Sequence, residues 1–261
     1  MVIRRIREHV AAHNWFAVGI DLAIVVVGVF LGTQVNNWNQ GRLDRSQGHD
    51  YRLRLISDLS ANDADLRDRR VYYSKVRDHA RDALTALAAP GGSGDAHFLI
   101  HTYEASQITP RKIKRFTYDE IRARGALQWV GDPKLRERIA NYYVGVETTD
   151  VTFDAIPPYR ERIREIMPAA AQDAVRRDCP EEIYFTDDGA GQARLAKSCT
   201  TLRLDPGVVS AAAARVRAAP ALDRDLTRQI ADLDVKLNVA DAMVKHQAKL
   251  RAQIAAADKG N

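Results

Sequence analysis

Near its N-terminus the chain carries a long, nearly all-apolar stretch, and beyond it run long regular stripes. From Trp15 to Trp38 the residues are nearly all apolar, with a tryptophan at each end. As a helix rising ~1.5 Å per residue, such a run crosses a hydrocarbon layer of ~30 Å. Tryptophans at both ends suit the two membrane interfaces. Beyond it, from Tyr51 to Ala89, the pattern changes. Positions 55, 59, 62, 66, 69, 73, 76, 80, 83 and 87 advance by alternating steps of four and three, and they read Leu, Leu, Asn, Leu, Arg, Tyr, Val, Ala, Ala, Leu. This is a heptad stripe with two polar interruptions on one long helix, as in a coiled coil. The run APGGSG, beginning at Ala89, ends it. The same spacing returns in Leu226, Ile230, Leu233, Leu237, Ala240, Val244 and Gln247, which predicts a last helix from Leu222 to about Ala257. Two striped helices at opposite ends of one segment predict an antiparallel pair within a bundle.

The punctuation between them predicts shorter helices. One runs from Asp95 to about Gln107. Thr117 stands as an N-cap with Glu120 three residues on, and Phe116 and Ile121 occupy the positions of a hydrophobic staple. Gly125 suits that helix's C-terminus. Asp132 then caps a helix that starts at Pro133 and runs to about Ala155, where Pro157 and Pro158 interrupt it. Another helical stretch reaches about Arg177, and a short helix follows Asp205-Pro206-Gly207. No alternating pattern marks a strand. The expected fold is all-α: an N-terminal transmembrane helix followed by an antiparallel helical bundle with long heptad-patterned helices.

Charge adds an orientation. The first fourteen residues, MVIRRIREHVAAHN, carry Arg4, Arg5 and Arg7. A basic tail before an apolar run describes a signal peptide, but this run is too long and TQVNNWNQGR contains no small-x-small cleavage site. The segment therefore reads as an uncleaved signal anchor. Arg42, Arg45, Arg52 and Arg54 beyond the span nearly balance the tail, and long domains cross largely regardless of charge. The expected layout is a cytoplasmic tail (1–14), a single span (15–38) and an extracytoplasmic helical domain (39–258). The net charge of +5 is spread along the chain and does not by itself argue for nucleic acid. Cys179 and Cys199, the two cysteines, bracket a polar, Gly-containing loop at 179–199. In an oxidising compartment they predict a disulfide closing roughly 20 residues, a contribution of about 3 kcal/mol in the chain-entropy model.

VGIDLAIVVVGVFLGTQVNNWNQGR resembles the N-terminal signature of a domain-of-unknown-function family of small bacterial single-span membrane proteins. The match rests on Asp21, Gly28, Gly32 and the Asn36-Asn37-Trp38-Asn39 exit. TYDEIRARGALQWVGDPKLRERIANYY is similar to a second stretch of that family, with a Tyr-acidic turn, a Gly, an apolar turn and a double Tyr. The resemblance covers about a third of the chain. It implies a helical extramembrane region behind a bacterial inner-membrane anchor, and no activity.

On a helix at 100° per residue, Asp21, Val25, Gly28, Gly32 and Asn36 share one narrow face. Gly28 and Gly32 form Gly-x-x-x-Gly, the spacing that lets two membrane helices approach closely. A carboxylate near the bilayer centre costs ~2.5–3.5 kcal/mol on insertion scales, so it wants a partner or water. Three readings follow: the stripe packs against another membrane helix, a second copy being simplest; Asp21 snorkels to the inner headgroups; or Asp21 carries protons.

Other chemistry is thinner. His97 and His101 stand four apart with Glu104 following, a spacing that fits a metal but equally fits amphipathic packing. Arg111 to Arg115, RKIKR, is a basic run that fits a solvated face or anionic headgroups, and fits nucleic acid only from the cytosol. Tyr142, Tyr143, Trp129 and Tyr118 suit a ligand pocket or a core. Glu181, Glu182, Asp187 and Asp188 in the cysteine loop lack a calcium-loop signature. No phosphate-cradling glycine loop, nucleophile elbow or Cys-x-x-Cys occurs. The expectation is therefore a membrane-anchored, non-enzymatic scaffold or adaptor without cofactor or metal. It would act on the bilayer, on a homo-oligomer or on another membrane protein, and not on nucleic acid. The alternative is a periplasmic ligand-binding or sensory helical module that signals through a partner.

Overall fold

A computed structural model of the chain describes residues 15–88, 94–186, 189, 191–196 and 198–259. The basic tail at 1–14 lies outside the described residues, as do Asp187 and Asp188. Helix α1 runs without a break from Trp15 to Ala88, 74 residues. The apolar run and the heptad stripe, which the sequence suggests as separate elements, are one helix. No proline falls between them, and the two glycines of the join, Gly41 and Gly48, each cost only ~1 kcal/mol relative to alanine. Local contacts along the helix offset part of that. Gln40 donates to Asp44 at 2.9 Å, and the Arg42 guanidinium lies 5.7 Å from the Trp38 ring centroid.

The last helix, α9 (Leu222–Lys259), lies antiparallel to the second half of α1. Arg52 pairs with Asp258, Asp63 accepts from Gln247, Arg70 pairs with Asp241 and Arg77 with Asp234. The numbers rise on one helix as they fall on the other. Both predicted stripes face this seam: Leu55, Leu59, Leu66, Tyr73, Val76 and Ala80 from α1 meet Leu226, Leu233 and Ala240 from α9 in one buried core.

Between them come α2 (Asp95–Glu104), α3 (Phe116–Ala123), the single turn α4 (Leu127–Val130), α5 (Pro133–Asp154), α6 (Pro158–Ile166), α7 (Ala169–Asp178) and, after the cysteine loop, α8 (Pro206–Arg217). Asp132 caps α5 as its spacing predicts, accepting from the Leu135 amide at 2.7 Å. Gly125 ends α3 at φ 63°, while the Gly125 and Ala126 amides donate to the Arg122 and Ile121 carbonyls, a Schellman closure.

Two local expectations fail. Thr117 does not cap α3: it lies inside the helix, and its amide donates to Asp58 of α1 at 3.2 Å. Glu120 reaches across to Arg54, and Phe116 is exposed, so neither the capping box nor the staple forms. A carboxylate from a neighbouring helix satisfies the donor instead. The cysteine loop is not simply a loop either. Strands β1 (Glu182–Phe185) and β2 (Gly191–Arg194) pair antiparallel, Glu182 opposite Arg194 and Phe185 opposite Gly191. Ile183 and Phe185 are both exposed, so no inside-outside alternation announces the strand. The all-α reading holds for the rest. Cys179, at the end of α7, and Cys199 stand at disulfide distance with Cα atoms 5.5 Å apart, closing the segment that carries the hairpin.

Candidate functional site

Asp21, Val25, Gly28, Gly32 and Asn36 all lie on the first half of α1, on a regular helix that gives them a common face. A Cβ added at Gly28 or Gly32 would meet nothing within 4 Å. Around that face the segment from 18 to 32 is apolar: Leu22, Ile24, Val26, Val27, Val29, Phe30 and Leu31 are exposed. A helix at the surface of a soluble domain shows one apolar stripe and one polar face. Residues 15–32 carry no polar side chain but Asp21, and the helix is long and apolar enough there to cross a membrane.

In the second half the two polar interruptions of the stripe are buried. Asn62 donates to the Lys114 carbonyl and accepts from the Lys114 amide, both at 2.9 Å. Arg69 donates to Asp65 at 2.7 Å and to the Arg111 carbonyl at 2.8 Å, and its guanidinium lies 4.9 Å from the Phe153 ring centroid. These contacts hold the segment between α2 and α3 against α1. The same segment contains RKIKR, and its charges are used internally. Arg111 pairs with Asp65 and Asp68, Lys112 with Asp154, and Arg115 with Asp119 and Glu147. The run is a strap across the bundle rather than an unpaired basic face.

The aromatic residues are structural. Tyr118 stacks on Tyr143 with ring centroids 4.0 Å apart, Tyr142 meets Tyr143 edge-on, and the Tyr142 hydroxyl donates to Gln247 at 3.0 Å. Trp129 lies over Gly48, where a Cβ would overlap the Trp129 carbonyl oxygen. Arg52, buried beside it, donates to the Trp129 and Val130 carbonyls and to Asp258.

His97, His101 and Glu104 do come together, in a cleft of about 290 Å³ lined also by His79, Asp82 and Cys179. His79 was not visible as a member, because it comes from α1, far upstream. Its Nδ1 lies 2.8 Å from Nδ1 of His101, so one ring donates and the other accepts. Asp82 approaches His101 at 3.6 Å. Burial pushes the His79 pKa down to about 4, with His101 opposing its charge further. Burial pushes Glu104 up to about 7, with Glu181 adding to the shift. The Glu104 Oε1 is buried without a hydrogen-bond partner among the described residues. Among the described residues no group of three or more His, Cys, Asp or Glu side chains is placed to hold a metal. Of the loop carboxylates, Glu181 accepts from the Tyr72 hydroxyl at 2.6 Å and Glu182 lies on β1.

Comparison of the chain with protein-family models, with curated proteins and with solved structures gives no match.

Proposed function

We propose that this chain is a non-enzymatic, membrane-anchored adaptor. Residues 15–38 span the bilayer once, and the helical bundle stands outside the cytoplasm as a rigid extension of the span. One observation carries this reading: a predominantly apolar helical segment continues without a break into the long helix of a bundle. A rod of that kind transmits position and torque between membrane and domain, because ~1.5 Å of rise and 100° of turn per residue are kept through the join. The Asp21, Val25, Gly28, Gly32 and Asn36 face is its intramembrane contact, with a second copy or another membrane helix.

The test is site-specific crosslinking in native membranes with Gly28→Leu plus Gly32→Leu. The expected result is a several-fold loss of crosslinked species while the bundle melts as before, with a C-terminal reporter active only outside the cytoplasm. Unchanged crosslinking refutes the packing face, and a cytosolic reporter signal refutes the topology.

A further inference from the structure

A second cleft, of about 410 Å³, shares Cys179 with the first and is lined by Tyr103, Gln107, Arg160, Arg164, Arg176 and Glu181 as well. Three arginines face one carboxylate there, and that carboxylate, Glu181, already accepts from Tyr72. The arginines are held differently. Arg176 pairs with Asp173 and donates to the Tyr103 hydroxyl at 3.2 Å. Arg160 and Arg164 donate to uncharged oxygens. Arg160 reaches the Ser106 carbonyl at 2.7 Å, and both reach the Gln107 side-chain oxygen at 3.3 Å. The Arg164 guanidinium also stacks on Tyr103, 3.7 Å from the ring centroid, which fixes its plane. Two guanidiniums thus converge on one neutral amide oxygen, at distances longer than the ~2.7–2.9 Å of a charged pair. Burial and the nearby Arg160 and Arg176 push the Arg164 pKa below its ordinary value, as expected where cations outnumber anions.

We propose that this cleft binds a small soluble oxoanion, phosphate or sulfate, between Arg160 and Arg164 in place of the Gln107 oxygen, with Arg176 as the third donor. Guanidinium forks match such oxygens in geometry as well as charge. A lipid headgroup is the wrong source. Tyr72, which binds Glu181 in the cleft lining, lies roughly 50 Å along α1 from Trp38 at ~1.5 Å per residue. The exclusion of a lipid source rests on the span proposed above, whereas the arginine cleft itself does not.

The experiment is calorimetric titration of the full chain in lipid nanodiscs with phosphate, sulfate and acetate. Phosphate and sulfate should bind and acetate should bind much more weakly. Arg160→Gln with Arg164→Gln should lose at least about tenfold in affinity, as charged hydrogen bonds of this kind imply. Gln107→Ala removes the competing internal acceptor and should tighten binding several-fold. Arg162→Gln, whose side chain pairs instead with Asp225, should change nothing. The proposal fails if wild type shows no heat with either oxoanion, or if acetate binds equally. It also fails if the double variant binds unchanged or if anionic lipid in the disc competes. Should the double variant not fold, Gln107→Ala decides: unchanged or weaker binding overturns the site.

Discussion

Between Phe16 and Val35, helix α1 turns large apolar side chains outward on every side. Between Gly48 and Ala88 the same helix buries an asparagine and two arginines, Asn62, Arg52 and Arg69. The two halves share backbone geometry and differ in residue pattern and in what surrounds them. In the second half the strap through Arg111 and Lys114 brings hydrogen-bond partners to Asn62 and Arg69, so polarity is tolerated inside. In the first half nothing in the described chain covers the apolar surface, and the hydrophobic effect requires a cover from outside. Burial follows the neighbours a helix is given, not the hydropathy of its residues alone.

The largest effect should come from breaking the buried polar site. Arg69→Ala removes the donor to Asp65 and to the Arg111 carbonyl and leaves a void beside Phe153. We expect a loss of about 3–5 kcal/mol in denaturant unfolding of the bundle. Arg42→Ala, in the exposed half, should stay within about 0.5 kcal/mol. Equal losses at both positions would erase the distinction between the halves.

Glu104, buried in the cleft beside the second half, is the contrasting case of a polar group left partly unpartnered. Its folded pKa of about 7 lies above the ordinary 4.5. The folded state therefore holds the proton longer than the unfolded chain. The stability this gives is complete below about pH 4.5 and is lost as pH rises through 7. Glu104→Gln, neutral throughout, should exceed wild type by up to about 3 kcal/mol above that range and match it below. His79 works with the opposite sign. Its folded pKa of about 4 lies below 6.5, so its contribution is present above 6.5 and lost as pH falls. Unfolding curves of Glu104→Gln should accordingly weaken only on the acid side; a variant that still weakens between 4.5 and 7 as pH rises would contradict this assignment.

The finest test makes one substitution twice in one helix. Gly48→Ala drives a methyl into the Trp129 carbonyl and should cost about 1–3 kcal/mol. Gly28→Ala meets nothing in the chain and should leave helix stability unchanged or raise it by about 0.5–1 kcal/mol. Thermal melts of the two variants by circular dichroism measure the difference.

Signals that act within a turn or two of helix were readable from the residues alone. The heptad steps placed Leu55, Leu66 and Val76 against Leu226 and Leu233, and even the interruptions Asn62 and Arg69 kept their place on the stripe. Gly125 and Asp132 punctuated their helices as spacing predicts. Cysteine spacing and the polar loop between them predicted the pair that the fold brings to disulfide distance. These features depend on backbone periodicity and short-range hydrogen bonding, which a local stretch carries with it.

What needed the tertiary structure was every case where a partner arrives from far along the chain. Thr117 met Asp58 rather than Glu120, RKIKR was neutralised by carboxylates from α1, α3 and α5, and His79 joined His101 across two helices. The gathering of Arg160, Arg164 and Arg176 around Gln107 belongs to the same class. A polar side chain has few intrinsic preferences strong enough to choose its neighbour. The choice is made when apolar stripes pack, because a buried donor left unpaired costs about 1–3 kcal/mol and the nearest acceptor is then taken. The sequence alone therefore determined most of the helical stretches and the faces they bury, though not that the first two form one helix. Packing decided which charges meet.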